Sequence, residues 1–229
     1  MSQASTFHVG IVLDGNRRWA KAQGLPTMEG HRQGAEVFKA VALKAFEKGI
    51  THLSAFVFSN ENWSRTKDEV GYLMKLVIKA TESYLDDFNK AGIKILILGE
   101  RAGLSPSVLK AIERTVSKTA QNTKGTLALC FNYGGQQELV RATQQLIQKG
   151  TAPESISIES ITAHLYEPEV PVLDLLIRTS GEKRTSGFML WRAAYAELAF
   201  TNTFWPDFSE AELDKILDEY HTRERRFGA

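Results

Sequence analysis

Val9-Gly10-Ile11-Val12-Leu13-Asp14-Gly15-Asn16-Arg17-Arg18-Trp19 is a short apolar run that halts at a carboxylate and turns into two adjacent arginines. The run is rich in β-branched residues and fits a buried strand; Gly15 permits a tight turn, and the segment after it starts a helix. Asp14 then stands at the carboxyl end of a strand, where open α/β sheets bind ligands. Free amides at the helix start, with Arg17 and Arg18, make an anion site. Asp14 fits beside them if a cation sits between it and the anion, and a magnesium-bound phosphate or diphosphate is the simplest occupant. A second reading also fits this stretch: Asp14 caps the helix and both arginines are solvated.

Outward from this stretch, apolar strands and amphipathic helices alternate. Gly24-Leu25-Pro26-Thr27 reads as a loop, and residues 30–48 carry the helical spacing Val37, Val41, Ala45 with lysines outward. Residues 53–58 form the next strand, followed at once by the polar stretch Ser59-Asn60-Glu61-Asn62-Trp63-Ser64-Arg65. Residues 68–89 make a long amphipathic helix with a stripe from Val70 through Leu73 and Val77 to Phe88. Further strands are expected at 93–98, 127–131, 173–177 and 198–200. Helices are expected from Ser105-Pro106, after Asn132-Tyr133-Gly134-Gly135, and from Ser209, where Glu212 completes a capping box. The alternation predicts an α/β fold: a mostly parallel central sheet of about six strands flanked by helices. At 229 residues, with no linker long enough to separate a second unit, the chain reads as a single domain over 1–229.

Lys plus Arg number 28 against 27 for Asp plus Glu, so no bulk affinity for nucleic acid is expected and any basic site is local. Cys130 is the only cysteine, which excludes an internal disulfide and a cysteine-rich zinc site. The first residues show no secretory pattern and no stretch is long enough to span a membrane, so a cytoplasmic protein is expected, with peripheral membrane contact left open.

In a parallel sheet the loops after the strands converge on one rim. Arg178-Thr179-Ser180-Gly181-Glu182-Lys183-Arg184-Thr185-Ser186 offers arginines, hydroxyls and turn amides to a second oxyanion group, although Thr-Ser-Gly is also ordinary turn chemistry. Glu197 lies in an aromatic setting where a carboxylate needs a cation or an arginine, Arg192 being one choice. His31 reads as a phosphate ligand or a helix cap. Tyr84, Phe88 and Met74 read as tunnel wall or plain core. No Walker loop, Gly-x-Gly-x-x-Gly, His-Glu-x-x-His or Gly-x-Ser-x-Gly is present. The residues therefore point to a magnesium-assisted enzyme that handles two phosphorylated groups.

Taken together these stretches resemble the cis-prenyltransferase family, which includes the undecaprenyl diphosphate synthases. The matching pieces are residues 8–19, Gly30-His31, Phe58-Ser59-x-Glu61-Asn62-Trp63-x-Arg65, Asn132-Tyr133-Gly134-Gly135, residues 174–182, Trp191-x-x-x-Tyr195-Ala196-Glu197, Trp205-Pro206-Asp207-Phe208 and residues 223–228. The resemblance implies condensation of isopentenyl diphosphate with an allylic diphosphate, one cis double bond per step. It implies Mg2+ bound with the help of Asp14 and Glu197. Gly15, Asn16, Arg17, Arg18, Trp19 and His31 would surround the allylic diphosphate. Arg178, Arg184 and Ser186 would hold isopentenyl diphosphate. Ser59 and Asn62 would act in catalysis, with Trp63 and Arg65 on the same loop. A hydrophobic tunnel for the growing chain and a homodimer, with Arg226-Phe227-Gly228 reaching the partner's site, complete the expectation.

Three positions depart from the common pattern: Thr27 in place of an arginine, Gly187 in place of an asparagine after Ser186, and Val57 in place of alanine beside the catalytic loop. The first leaves one diphosphate contact either missing or supplied by Arg17, the second leaves the second site looser, and the third would narrow the tunnel, which opens the alternative of a product shorter than undecaprenyl.

Overall fold

The computed structural model describes residues 6–222. Six parallel strands form one sheet in the order β3-β4-β2-β1-β5-β6: β1 (His8–Val12), β2 (His52–Ser59), β3 (Ile93–Leu98), β4 (Gly125–Tyr133), β5 (Leu175–Arg178) and β6 (Glu197–Phe200). The connecting helices are α1 (Asn16–Ala22), α2 (Thr27–Glu47), α3 (Lys67–Lys90), α4 (Pro106–Thr119), α5 (Gly135–Gln148), α6 (Ile158–Thr162) and α7 (Glu210–Thr222).

Helices and loops cover the parallel sheet on both faces, so successive residues of a strand enter different cores, as at the edge strand β3. Ile95 and Ile97 of β3 join Leu53, Val41, Leu85 and Leu213 on the face covered by α2, α3, α4 and α7. Leu96 and Leu98 join Cys130, Tyr133, Phe188 and Met189 on the other. Cys130 is fully buried, a small core residue.

Helix starts follow their local chemistry. Thr66 accepts from the Glu69 backbone amide to cap α3, and Ser105 accepts from Val108 ahead of Pro106 to cap α4. α2 begins at Thr27, three residues before the expected start, because Pro26 supplies the turn and the following residues are free to coil. The expected loop after β2 is a 3₁₀ turn, Asn60–Ser64, and the short α6 has no counterpart in the sequence reading. β5 begins at Leu175, not Leu173, whose backbone amide donates to the Arg192 carbonyl.

Candidate active site

The register sets the rim. Val12 pairs with Arg178 and Ser59 with Tyr133, so Asp14, the turn 60–64, residues 132–135 and residues 178–186 all lie beyond the same end of the sheet. The turn at Gly15 needs its φ of +111°, and a Cβ there would lie 2.9 Å from the Phe204 ring. The backbone carbonyl of Asp14 accepts from Thr179 Oγ1 at 2.6 Å and from the Trp205 amide at 3.0 Å, so two distant segments hold its backbone in place.

That carboxylate faces two cations. Arg178 Nη2 donates to Asp14 Oδ2 at 2.9 Å, and Arg18 Nη2 lies 3.4 Å from Oδ1. Partial burial pushes the Asp14 carboxyl up, but the hydrogen bond and charge of Arg178, helped by Arg18, outweigh it and hold the group below the usual carboxylate range. Arg178 is 4% exposed; its Nη1 donates to the Arg184 carbonyl at 2.6 Å and to Ser186 Oγ at 2.8 Å, while its Nε has no protein partner among the described residues. Arg18 also donates to Glu182 at 3.0 Å and to the Ser180 carbonyl at 3.3 Å.

A second cluster surrounds Glu69, which the sequence reading missed. Its Oε1 lies 3.0 Å from His31 Nε2, 3.0 Å from Arg65 Nη1 and 3.8 Å from Arg17 Nε. Burial pushes Glu69 up, yet the hydrogen bond from His31 and the charges of Arg65 and Arg17 hold it low. Burial lowers His31 by more than Glu69 raises it. The pair is therefore a neutral imidazole donating to a carboxylate. The sequence carries no distinctive signal for Glu69, since a carboxylate four residues after an arginine is ordinary on a helix surface.

On the turn after β2, Asn62 Oδ1 accepts from the Ser59 amide at 3.1 Å in a reciprocal cap, and Trp63 Nε1 donates to Asn132 Oδ1 at 2.8 Å. The pairing of β2 with β4 slips between Phe56 and Phe58, leaving Val57 as the extra residue of a bulge, a common device beside active sites.

Asp14, Asn16, Ser59, Asn62, Arg178 and Ser186 line one end of a cavity of about 970 Å³. Phe38, Val57, Leu73, Val77, Tyr84 and Phe88 line its apolar body between α2, α3 and the sheet, with His31 and Arg65 also on its wall. Tyr84 and Phe88 of the helical stripe thus reach the cavity, while Met74 packs on the core beside it. An adjoining cavity of about 710 Å³ is lined by Arg17, Arg18, Lys21, Thr27, His31 and Arg65, a cationic mouth.

Other residues expected at the site lie apart. Trp19 is on neither cavity wall; its Nε1 donates to Asp207 at 2.7 Å. The Arg184 guanidinium reaches out to Glu182, and only its carbonyl touches Arg178. Glu197 opens β6 paired with Leu175, which itself pairs with Val9, so it is level with the far end of β1 from Asp14 and the two carboxylates do not meet within this chain. Arg192 does not pair with Glu197; it is buried against Glu138 at 2.8 Å and donates to the carbonyls of Tyr166 and Val170. The terminal Arg226-Phe227-Gly228 lies outside the described residues.

A parallel sheet with oxyanion donors on its rim and a greasy cavity behind them is a fold for transferring an apolar group activated by phosphate. The family model described as "Putative undecaprenyl diphosphate synthase" matches residues 12–228, and the chain belongs to this family, the cis-prenyltransferases. It is 43% identical over 225 residues to isoprenyl transferase 2 of Bradyrhizobium diazoefficiens, covering 96% of this chain and 89% of the relative. Identity to the isoprenyl transferase of Thermotoga maritima is 41%, with 96% of each covered. Among solved structures it is similar to lavandulyl diphosphate synthase from Lavandula x intermedia in complex with dimethylallyl diphosphate (TM-score 0.93, 32% identity, 97% and 98% covered). It is also similar to a "probable undecaprenyl diphosphate synthase" from Campylobacter jejuni (TM-score 0.83, 30% identity, 99% and 100% covered). The chain is a prenyl-transferring enzyme.

Proposed function

We propose that this enzyme joins isopentenyl diphosphate to an allylic diphosphate and repeats the addition, releasing a (Z)-polyprenyl diphosphate of the undecaprenyl type. The observation that carries this reading is the continuity of the 970 Å³ cavity from the Asp14–Arg178 pair into an apolar body walled by α2 and α3. Charge and grease in one enclosure suit a substrate with a diphosphate head and a growing hydrocarbon tail.

Arg17, Arg18, His31 and Arg65 would bind the allylic diphosphate at the cationic mouth, and Arg178 with Ser186 would bind isopentenyl diphosphate. Arg178 Nε is a buried donor without a protein partner among the described residues, and Arg178 stands on the cavity wall. Asp14 is a single, partly exposed carboxylate at the meeting of the two sites. That donor set fits Mg2+, which takes one or two carboxylates and fills its remaining positions with water and phosphate oxygens. When bound, the ion supplies charge stabilisation to a departing diphosphate. The arginines supply the same to developing negative charge, and the apolar wall excludes water from an allylic cation. The double bond of isopentenyl diphosphate attacks that cation, a carbon–carbon bond forms, and a proton leaves. Ser59 and Asn62 stand on the cavity wall beside Arg65, where they can hold the second substrate.

The test is to incubate the protein with Mg2+, radiolabelled isopentenyl diphosphate and farnesyl, geranyl or dimethylallyl diphosphate in parallel, and to size the products. A long ladder is expected. One or two additions would mean that Val57 and its neighbours stop the chain early, and Val57→Ala should then lengthen the product. The likeness to lavandulyl diphosphate synthase favours a second reading, irregular coupling of two allylic units, which incorporation from dimethylallyl diphosphate alone would reveal. A homodimer through the edge of the sheet is supported by Tyr195, 87% exposed just before β6, and sedimentation velocity would detect it.

A further inference from the structure

We propose that the strand end Asn132-Tyr133-Gly134-Gly135 is a seat that holds the two substrate loops at a set spacing, with Asn132 and Gly135 as positioning residues. The proposal rests on the reading of the cavity given above.

The pairing of β2 with β4 runs Phe58 to Phe131 and then Ser59 to Tyr133, so Asn132 is an extra residue without a ladder partner. It is 5% exposed and has a φ of +51°. Few non-glycine residues occupy the left-handed region, asparagine more readily than most, and the surroundings must over-determine it. They do so here. Asn132 Nδ2 donates to the carbonyls of Glu100 at 2.8 Å and Ala102 at 3.2 Å, and the Glu100 amide donates to the Asn132 carbonyl at 3.0 Å. Those bonds leave Oδ1 facing the other way, where it takes the indole proton of Trp63. The bulge thereby grips the turn 60–64.

The two glycines contact a loop on each side. A Cβ on Gly134 would stand 2.8 Å from Asn60 Nδ2, a side-chain end that can move. One on Gly135 would stand 2.2 Å from the Gly187 carbonyl oxygen and 2.7 Å from Leu190 Cβ, and a backbone carbonyl cannot swing aside. Consecutive residues thus abut the turn bearing Asn62 and the turn bearing Ser186. Below them, the Tyr133 hydroxyl donates to Glu138 at 2.6 Å, and Glu138 pairs with Arg192, all three groups buried. Two loops that carry the two halves of one reaction share four residues of rigid backbone. A displacement of about 1 Å between reacting groups is worth roughly 10²-fold in rate.

The test uses the full chain and reads amide hydrogen exchange together with steady-state kinetics for Gly135→Ala, Trp63→Phe, Asn132→Ala and the Trp63→Phe/Asn132→Ala pair. Gly135→Ala should speed exchange over residues 184–190 only and raise KM for isopentenyl diphosphate several-fold more than KM for the allylic substrate. Trp63→Phe should speed exchange over 60–65 only, Asn132→Ala should speed it over 60–65 and over residues 100–102, two of whose carbonyls its side chain also holds, and the double variant should lose no more kcat than the worse single. Unchanged exchange, or faster exchange in both loops from any one substitution, overturns the proposal. Trp63→Phe alters no backbone contact, so unchanged exchange over 60–65 in that variant overturns it even if Gly135→Ala does not fold. Exchange needs no turnover, which separates failure of the seat from failure of the prenyl-transfer reading.

Discussion

The two ends of the sheet are built from similar residue types and wired in opposite ways. At the amino end His8 is fully buried, and its Nδ1 faces the carbonyls of Pro171 at 2.9 Å and Val172 at 3.2 Å. Carbonyls only accept, so Nδ1 carries the proton and Nε2 accepts from Ser54 at 2.8 Å. The His8 amide donates to Asp174, completing a locked joint between β1, β2 and the segment before β5. At the carboxyl end, Asn132, Ser180 and Ser186 all have positive φ, and Arg178 keeps an unspent donor. Strained residues and an unpartnered donor border the candidate site at the carboxyl end, while the groups around His8 satisfy one another.

The largest effect is expected from Asp14→Ala. Turnover should fall by about 10²–10³-fold or more if, as proposed, Asp14 organises the charge that meets the diphosphates. Its backbone carbonyl still accepts from Thr179 and Trp205, so circular dichroism should show a folded protein. A near wild-type kcat would remove Asp14 from the mechanism. Next comes Glu138→Ala, which leaves Arg192 buried without its carboxylate partner and should destabilise the fold by roughly 3–5 kcal/mol in urea unfolding. A loss below about 1 kcal/mol would mean that water replaces the carboxylate.

The third prediction concerns pH. Burial lowers the His8 pKa from 6.5 to about 3, ahead of the raising effect of the Pro171 carbonyl. Between those values the unfolded chain binds a proton that the folded one refuses. The contribution is therefore complete above pH 6.5 and is lost as pH falls toward 3, by up to about 1.4 kcal/mol per pH unit. Unfolding free energy measured from about pH 7 to about pH 4 should fall less steeply in His8→Asn by close to one proton. Equal slopes would show that His8 takes up its proton without unfolding. The smallest effect is expected at Thr51, whose Oγ1 bonds the amide and carbonyl of Phe7 at the amino end. Thr51→Val should lower stability by about 1 kcal/mol and leave kcat and KM unchanged, and a changed KM would break the division between the two ends.

Much of this was legible in the chain. The apolar run into Asp14, the alternation of strands and helices, and the cap at Ser105 are local signals, because a few neighbouring residues settle each one. The same holds for the loops that follow β1, β2, β4 and β5, which a parallel sheet must deliver to one rim. Glu69 was not legible: a carboxylate on a helix surface is ordinary until α1, α2 and the turn 60–64 fold over it. Arg192 was read as one partner open to Glu197, and the path of residues 163–193 took it to Glu138 instead.

The sequence by itself determined the order of the strands and longer helices, the parallel sheet, the site-bearing strand ends and the family, since each rests on periodicity, turn chemistry or a run of contiguous motif residues. Only the tertiary structure decided that Arg178 clamps Asp14, that Glu69 gathers His31, Arg65 and Arg17, and that Glu197 lies level with the opposite end of β1. Those pairings join residues as many as 164 positions apart. Strand register and helix packing choose among such partners, and neither leaves a local mark on the chain.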